Sequence, residues 1–216
     1  MKILVACEYS GAVRDAFARL GHDAWSCDLL ASESQGNHIQ GDVCDVLREQ
    51  WAWDLIIAFP PCTYLCASGM HWTTRGLRDP QLTEDALALV RTLMEADCPR
   101  IAIENPIGCI SSRIRKPDQI IQPWQFGHPE SKSTCLWLKN LPNLVPTQIL
   151  PKPANGRWEN QTGSGQNKLG PSKDRWKIRS KTYQGIADAM AAQWSASASS
   201  SPAIAPHAQI AESLFA

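Results

Sequence analysis

Short apolar runs alternate with amphipathic segments along this chain, and that alternation leaves few folds open. The helical spacing of apolar residues marks segments 11–21, 80–96 and 183–194 as helices. Strands alternating with helices favour a parallel sheet with right-handed crossovers. We therefore predict an α/β fold with a Rossmann-like, mostly parallel central sheet, whose strand ends line a ligand-binding edge. The predicted strands are KILVAC (2–7), HDAWSCDLL (22–30), DLIIAF (54–59) and RIAIEN (100–105).

Length and composition indicate one globular domain. The chain has 216 residues, 44% of them hydrophobic, which is enough for a proper core. There is no apolar run of about 18 residues, and the N-terminus turns polar too early for a signal peptide. The eight cysteines form no CxxC pair, so we expect reduced thiols and no metal site. We expect a cytoplasmic protein with no membrane partner, and a monomer.

Charge is distributed unevenly, although the formal net charge is zero. Between residues 111 and 182 there are 13 Lys or Arg against 4 Asp or Glu. Such a basic region favours a polyanionic partner. A solvated basic surface without a partner is the alternative interpretation.

Polar residues follow the predicted strands, at the edge where a parallel sheet binds ligands. An acid at a strand end commonly holds the ribose of an adenosine-like ligand. The first turn, EYSGAVRDAF, has one glycine and no phosphate-binding loop, so a nucleoside cofactor without phosphates fits better. S-adenosylmethionine is the common cofactor of that kind. The strand-end residues are Glu8, Gly11, Asp28, Asp42, Pro60-Pro61-Cys62 and Glu104-Asn105.

The order of these motifs resembles that of the DNA (cytosine-5) methyltransferases. Pro60-Pro61-Cys62 resembles the nucleophile loop of that family, and Glu104-Asn105 resembles its Glu-Asn motif. FGHPESKSTCLWL (126–138) resembles the family's arginine-rich segment, with Lys132 at the first arginine and Thr134 in place of the second. The resemblance implies an S-adenosylmethionine-dependent methyltransferase fold, with a small basic C-terminal recognition region.

The resemblance also implies catalytic roles for Cys62, Glu104, Asn105 and Lys132. Carbon 5 of cytosine is a weak nucleophile, so family enzymes first add a cysteine thiolate to carbon 6, and Cys62 would be that group. Glu104 would protonate or hydrogen-bond ring nitrogen N3, which a raised pKa would permit. Asn105 would fix the loop or the base edge, and Lys132 would hold the base carbonyl or a phosphate. Cys66 stands where the family commonly has serine, and we interpret it as structural.

On the cofactor side the resemblance is looser. Residues 9–11 are similar to the family's Phe-x-Gly turn, Asp28 to the acid that binds ribose, and Asp42 to the acid that contacts adenine. The implied cofactor is S-adenosylmethionine. The implied cofactor-binding residues are Glu8, Tyr9, Ser10, Gly11, Asp28, Leu29, Asp42, Val43, Phe59 and Pro61.

Two segments are predicted to face DNA. Residues 63–80 resemble the family's mobile catalytic loop, which closes after the target cytosine has been flipped out of the stack. Residues 139–181 leave little room for a reader of base edges, so we predict short or relaxed sequence specificity. A flexible linker is the alternative interpretation of that segment. The predicted DNA contacts are Arg75, Arg157, Lys173, Arg175, Arg179 and Lys181.

The predicted function is transfer of a methyl group from S-adenosylmethionine to carbon 5 of cytosine in DNA, through a covalent cysteine adduct. Two alternatives stay open: cysteine-dependent modification of another pyrimidine in RNA, a free nucleotide or a modified cytosine, and a catalytically inactive nucleic-acid-binding relative. The predicted organisation is a catalytic core at 1–138, a DNA-contacting region at 139–182, a returning helix at 183–196 and a disordered tail at 197–216.

Overall fold

Seven strands form one sheet in the order β3-β2-β1-β4-β5-β7-β6. The computed structural model of the chain describes residues 1–49, 51–164, 167–170 and 172–199. The strands are β1 Lys2–Ala6, β2 Asp23–Asp28, β3 His38–Gln40, β4 Leu55–Ala58, β5 Ile101–Pro106, β6 Gln119–Ile121 and β7 Thr134–Lys139.

The sheet is mostly parallel. All pairings among the first five strands are parallel, with β1 between β2 and β4. Strand β7 is inserted antiparallel between β5 and β6. The predicted α/β, Rossmann-like fold is therefore confirmed. The four predicted strands match β1, β2, β4 and β5, whereas the short strands β3 and β6 and the strand β7 were not predicted.

In the described part of the chain, five helices lie between strands and two follow β7, and the three helices predicted from apolar spacing are all present. The segment at 63–80, expected to be a loop, instead contains a 3₁₀ turn and helix α3. The tail predicted at 197–216 lies mostly outside the described residues. No helix in the described ranges is long and apolar enough to span a membrane. The helices are α1 Ala12–Arg19, α2 Val43–Arg48, α3 Ala67–Thr74, α4 Gln81–Met94, α5 Ile110–Arg113, α6 Arg175–Ser180 and α7 Gln184–Ser199.

Helices cover both faces of the sheet. Alternate strand residues such as Ile3 and Val5 pack with Phe17 of α1 and Trp194 of α7. The residues between them, such as Leu4, pack on the opposite face with side chains of α2 and α4. Because both faces are buried, the central strands are almost continuously apolar, and this is why they were recognisable in the sequence.

The described residues between 140 and 174 are mainly irregular but make ordered contacts with the sheet layer. The Asn160 amide donates to the carbonyl of Ser131 (2.9 Å), and its oxygen accepts from the Ser131 amide (3.0 Å). Trp158 lies parallel to Trp124, with ring centroids 6.2 Å apart. These contacts hold the segment beside the start of β7.

A buried arginine fixes the loop that follows β2. Arg14 of α1 is only 1% exposed, and its guanidinium donates to the side chain of Ser26 and to residues of the loop 32–35. It also pairs with Asp15 at 2.8 Å. A buried guanidinium is stable only when its donors are satisfied, so this loop and α1 hold each other in place.

We expect Arg14→Met to lower the free energy of unfolding by about 3 kcal/mol, because it leaves loop acceptors without a donor. The matched control is Arg19→Met on the same helix, where the ion pair with Asp188 is more than half exposed. That change should cost at most about 1 kcal/mol. Urea unfolding of both variants measures the difference, and equal losses would contradict the anchoring role of Arg14.

Candidate active site

The Pro-Pro-Cys turn is held in place by the strand next to it. Strand β4 ends at Ala58, and after two prolines Cys62 begins a 3₁₀ turn. Asn105 of β5 is buried, and its amide donates to the carbonyl of Pro60 at 2.7 Å. This hydrogen bond ties the turn to the neighbouring strand and sets the position of Cys62.

Glu104 and Lys132 are brought together because β7 runs antiparallel to β5. Thr134 at the start of β7 pairs with Pro106 at the end of β5, so the residues just before β7 reach the end of β5. Burial raises the pKa of Glu104 above the ordinary carboxyl value, against the opposing effects of Lys132 and the Thr134 hydroxyl. Glu104 can therefore hold its proton at a higher pH than a solvated carboxyl.

The thiol of Cys62 lies partly buried near both of these groups. Its pKa is raised, first because it donates a hydrogen bond to Cys66 and is desolvated, and further by the charge of Glu104, while Lys132 opposes the increase. The structure thus places three of the four predicted catalytic side chains within electrostatic reach of one another. The fourth, Asn105, contacts the turn through its hydrogen bond to the Pro60 carbonyl.

Close backbone approaches bring Cys66 beside Cys62. A β-carbon on Gly108 would lie 1.9 Å from the carbonyl oxygen of Leu65, and one on Gly69 would lie 2.0 Å from that of Thr63. Only glycine permits these contacts. The loop after β5 and helix α3 therefore press the 62–66 turn into one shape.

Two adjoining cavities meet at this turn. The first, here called the Tyr9 cavity, has a volume of about 840 Å³ and is lined by Cys62 and by strand-end side chains. The second, the Lys132 cavity, has a volume of about 770 Å³ and lies beside Pro106 and Tyr183. Both volumes fall in the range of small-molecule sites. Residues that line both cavities are Cys66, Ser68, Asn167, Lys168, Leu169 and Arg179.

The predicted cofactor residues separate into two groups. Tyr9, Asp28, Phe59 and Pro61 line the Tyr9 cavity, together with Leu30 rather than the more exposed Leu29. Burial raises the pKa of Asp28, and the amides of Leu30 and Leu29 oppose the increase. The residues not among those that line the cavity are Glu8, Ser10, Gly11, Leu29, Asp42 and Val43.

Glu8, Gly11 and Asp42 shape the backbone around the cavity. The Glu8 carboxylate accepts from the amides of Val13 (2.8 Å) and Arg14 (3.2 Å) at the start of α1. Gly11 has φ +76°, a left-handed conformation that glycine adopts without strain. Asp42 accepts from the amide of Cys44 and caps α2. These residues fix the backbone that forms the cavity walls and are not among the residues that line the cavity.

Helix α6 closes one side of the Tyr9 cavity. Lys177 and Lys181 both pair with Glu33, each at 2.6 Å, and the Tyr9 hydroxyl donates to the carbonyl of Lys177 at 3.0 Å. The two ammonium groups lower the pKa of Glu33. Trp176, which sequence analysis had not assigned to this site, lies 6.1 Å from Tyr9 between ring centroids and lines the cavity.

The predicted DNA contacts lie in different local surroundings. Arg75 and Lys173 are exposed, Arg157 is exposed beside a smaller cavity, and Arg175 donates to the carbonyl of Gly170. Lys181 is engaged with Glu33, and Arg179 lines both main cavities.

Cys66 and Gly108 were not recognised as site residues in the sequence, because their importance depends on contacts across the fold. Within the described part of the chain, no group of three or more His, Cys, Asp or Glu side chains is placed to hold a metal ion. The groups near the turn are a thiol, a carboxyl of raised pKa and an ammonium group.

We expect Gly108→Ala to lower the free energy of unfolding by about 2 kcal/mol, because the new methyl group meets backbone atoms that cannot rotate away. Gly41→Ala is the control, since no atom lies within 4 Å of its added methyl group. It should leave stability unchanged or raise it by up to about 1 kcal/mol. Denaturant midpoints compare the two, and a neutral Gly108→Ala would contradict the close packing of this turn.

We expect Glu33→Gln to loosen α6, because it removes the partner of two lysines. Exposed ion pairs contribute about 1 kcal/mol or less each, so amide hydrogen exchange over residues 175–180 should become about three- to tenfold faster. Glu49→Gln, a change at an exposed carboxyl, is the control. Unchanged exchange in α6 would show that the two ion pairs do not hold the helix.

Comparison with solved structures gives distant likenesses, of which one is described here. No family model matches the chain, and no curated protein matches it. A solved structure from E. coli, described as a proposed DNA modification methyltransferase encoded within a prophage, is 15% identical with a TM-score of 0.43. The alignment covers 69% of this chain and 51% of the other, so the chain spans about half the length of that protein.

Proposed function

We propose that this chain transfers a methyl group from S-adenosylmethionine to carbon 5 of cytosine in DNA, through a covalent bond from Cys62 to carbon 6. The observation that carries the proposal is that Cys62 lines one ligand-sized cavity, Lys132 lines the adjoining one, and Glu104 lies within electrostatic reach of both side chains. A nucleophile, an acid and a cation in this arrangement suit addition to a pyrimidine ring.

Cys62 supplies the nucleophile. Its sulfur lines the Tyr9 cavity, and Cys66, its hydrogen-bond partner, lines both cavities. A group bound in either cavity is thus close to this turn. Addition of sulfur to carbon 6 makes carbon 5 electron-rich, which divides one difficult step into two easier ones.

Glu104 and Lys132 manage the charge that develops on the ring. As sulfur adds, nitrogen N3 becomes more basic, and a carboxyl whose pKa burial has raised can donate its proton there. The Lys132 ammonium lies at the wall of the second cavity and can hold the base carbonyl. Lys132 also donates to the carbonyl of Arg179 (3.2 Å), which fixes its position.

The Tyr9 cavity fits the proposed cofactor. Its lining combines aromatic and apolar side chains with the Asp28 carboxylate, a set suited to an adenosine with a free ribose. Residues Tyr9, Asp28 and Phe59 would hold that group, with Trp176 of α6 on the open side. S-adenosylmethionine supplies an electrophilic methyl group when bound.

The substrate assignment rests on the basic C-terminal segment and on the second cavity. Exposed Arg75, Arg157 and Lys173 are available for phosphate contacts. The Lys132 cavity is large enough for one flipped base, which an enzyme must extrude to reach its ring face. The small size of this segment supports short or relaxed specificity.

We expect Cys62→Ala and Glu104→Gln to remove methyl transfer to DNA from radiolabelled S-adenosylmethionine. Loss of the nucleophile should cost at least about 10³-fold, and loss of the acid about 10²-fold or more. Cofactor affinity, measured by calorimetry, should change by less than about threefold, because neither change alters the residues proposed to bind it. Cys109→Ser controls for the removal of a thiol and should retain activity.

The pH dependence provides a second check on Glu104. An acid that must be protonated gives a rate that falls as pH rises through its pKa, which here lies above the ordinary carboxyl value.

Methyl transfer confined to RNA would instead support the alternative pyrimidine substrate. Retained DNA binding without transfer to any substrate would support an inactive relative.

A further inference from the structure

We propose that the Lys132 cavity binds the phosphate group of a pyrimidine nucleotide, through Lys168, Arg179 and Lys181 in its wall. The inference rests on the function proposed above and deepens it, because it names the group by which the substrate is held. Both a nucleic-acid strand and a free nucleotide carry that group, and the test separates these two sources.

Positive charge predominates in the wall of the Lys132 cavity. Among the described residues that line it there are four cations and one carboxylate, that of Glu130. The Glu130 carboxylate accepts hydrogen bonds from the Tyr183 hydroxyl at 2.5 Å and from the Asn160 amide at 3.2 Å, so it already has partners within the protein. The four cations are Lys132, Lys168, Arg179 and Lys181.

Much of this positive charge is not neutralised by the fold. Within the part of the chain that the structure describes, neither the Lys168 ammonium nor the Arg179 guanidinium takes part in a hydrogen bond or an ion pair. Both residues are exposed. Lys181 pairs with Glu33, but Lys177 pairs with the same carboxylate, so two ammonium groups face one negative charge. An anion that enters the cavity therefore gains attraction without breaking a buried ion pair.

Neutral hydrogen-bond donors lie in the same wall. Thr182 and Asn167 line the cavity, and their hydroxyl and amide groups can donate to phosphate oxygens. Ala67 and Ser68, in the first turn of α3, line it as well. The N-terminus of a helix carries partial positive charge, which adds to that of the side chains. The wall thus combines the charged and neutral donors that a phosphate group requires.

The charge of the proposed cofactor also favours an anion beside it. S-adenosylmethionine has a sulfonium, an ammonium and a carboxylate group, so its net charge is positive. Lys168 and Arg179 line the Tyr9 cavity too, where they repel that net charge. A phosphate at this shared wall offsets the repulsion. The surplus of positive charge is therefore explained better by a phosphate in the Lys132 cavity than by the cofactor alone.

Lys132 itself is assigned to the base and not to the phosphate. It stands just before β7, acts on the buried carboxyl of Glu104, and donates to the backbone carbonyl of Arg179 at 3.2 Å. The three cations assigned to the phosphate all belong to the C-terminal segment. That segment thus supplies the phosphate contacts, and the sheet edge supplies the groups that act on the base.

Calorimetry with two small probes tests the site in the full chain. Deoxycytidine monophosphate should bind at least about tenfold more tightly than deoxycytidine, because charge-assisted hydrogen bonds to phosphate are strong. Lys168→Met and Arg179→Met should each reduce that preference by about threefold to tenfold. Lys173→Met is the matched control, since Lys173 is an exposed lysine of the same segment that is not among the residues lining either cavity. Arg179→Lys keeps the charge and should keep most of the preference, which separates loss of charge from misfolding.

A single-stranded DNA oligonucleotide with one cytosine among thymines identifies the source of the phosphate. When Lys168→Met and Arg179→Met weaken this oligonucleotide more than Lys173→Met does, but the monophosphate shows no preference over deoxycytidine, the phosphate is that of a strand. When both probes respond, a free nucleotide is sufficient. Either result supports the site.

The proposal is overturned when neither probe responds to the two variants beyond the effect of Lys173→Met. It is also overturned when the two variants weaken the binding of S-adenosylhomocysteine instead, because the cations would then serve the cofactor carboxylate. None of these measurements needs methyl transfer. Phosphate-dependent binding without transfer to any substrate would reject the proposed function and retain the site.

Discussion

The antiparallel pairing of β7 with β5 is the constraint on which the site depends. Five strands of the sheet are parallel, so their carboxyl ends meet at one edge. Strand β7 runs the other way and begins where those strands end, which places Lys132 beside Glu104. In the same place, the hydrogen bond from Asn105 to Pro60 fixes the Cys62 turn. Side chains from three separate segments thus converge because of backbone pairing.

The C-terminal segment supplies further walls of the two cavities. Helix α6 carries Arg179 to both cavities and is held by the paired lysines on Glu33. The same helix covers Tyr9 with Trp176. These contacts tie α6 to the wall of the Tyr9 cavity.

Sequence predicted the elements that carry strong periodic patterns and missed those defined by distant contacts. The buried strands β1, β4 and β5 were recognisable because both of their faces are apolar. Cys62 and Glu104 became candidate site residues because they stand near the ends of such strands. Arg14 is charged, so the sequence of α1 gives no sign that its side chain is buried. Its hydrogen-bond acceptors lie in the loop at 32–35 and become visible only in the folded structure. Gly108 and Cys66 depend on a backbone approach between segments about 40 residues apart, for which one sequence has no signal.

Addition of the Cys62 sulfur to a pyrimidine is the central claim, and mass spectrometry of a trapped complex tests it most directly. The chain is incubated with S-adenosylmethionine and with DNA that contains 5-fluorocytosine. Carbon 5 of that base carries fluorine in place of hydrogen, so it has no proton to lose and the covalent bond to the protein persists. We predict a protein–DNA adduct whose modified peptide carries the DNA fragment on Cys62. DNA that binds without forming any adduct, or an adduct on a different residue, would contradict the claim.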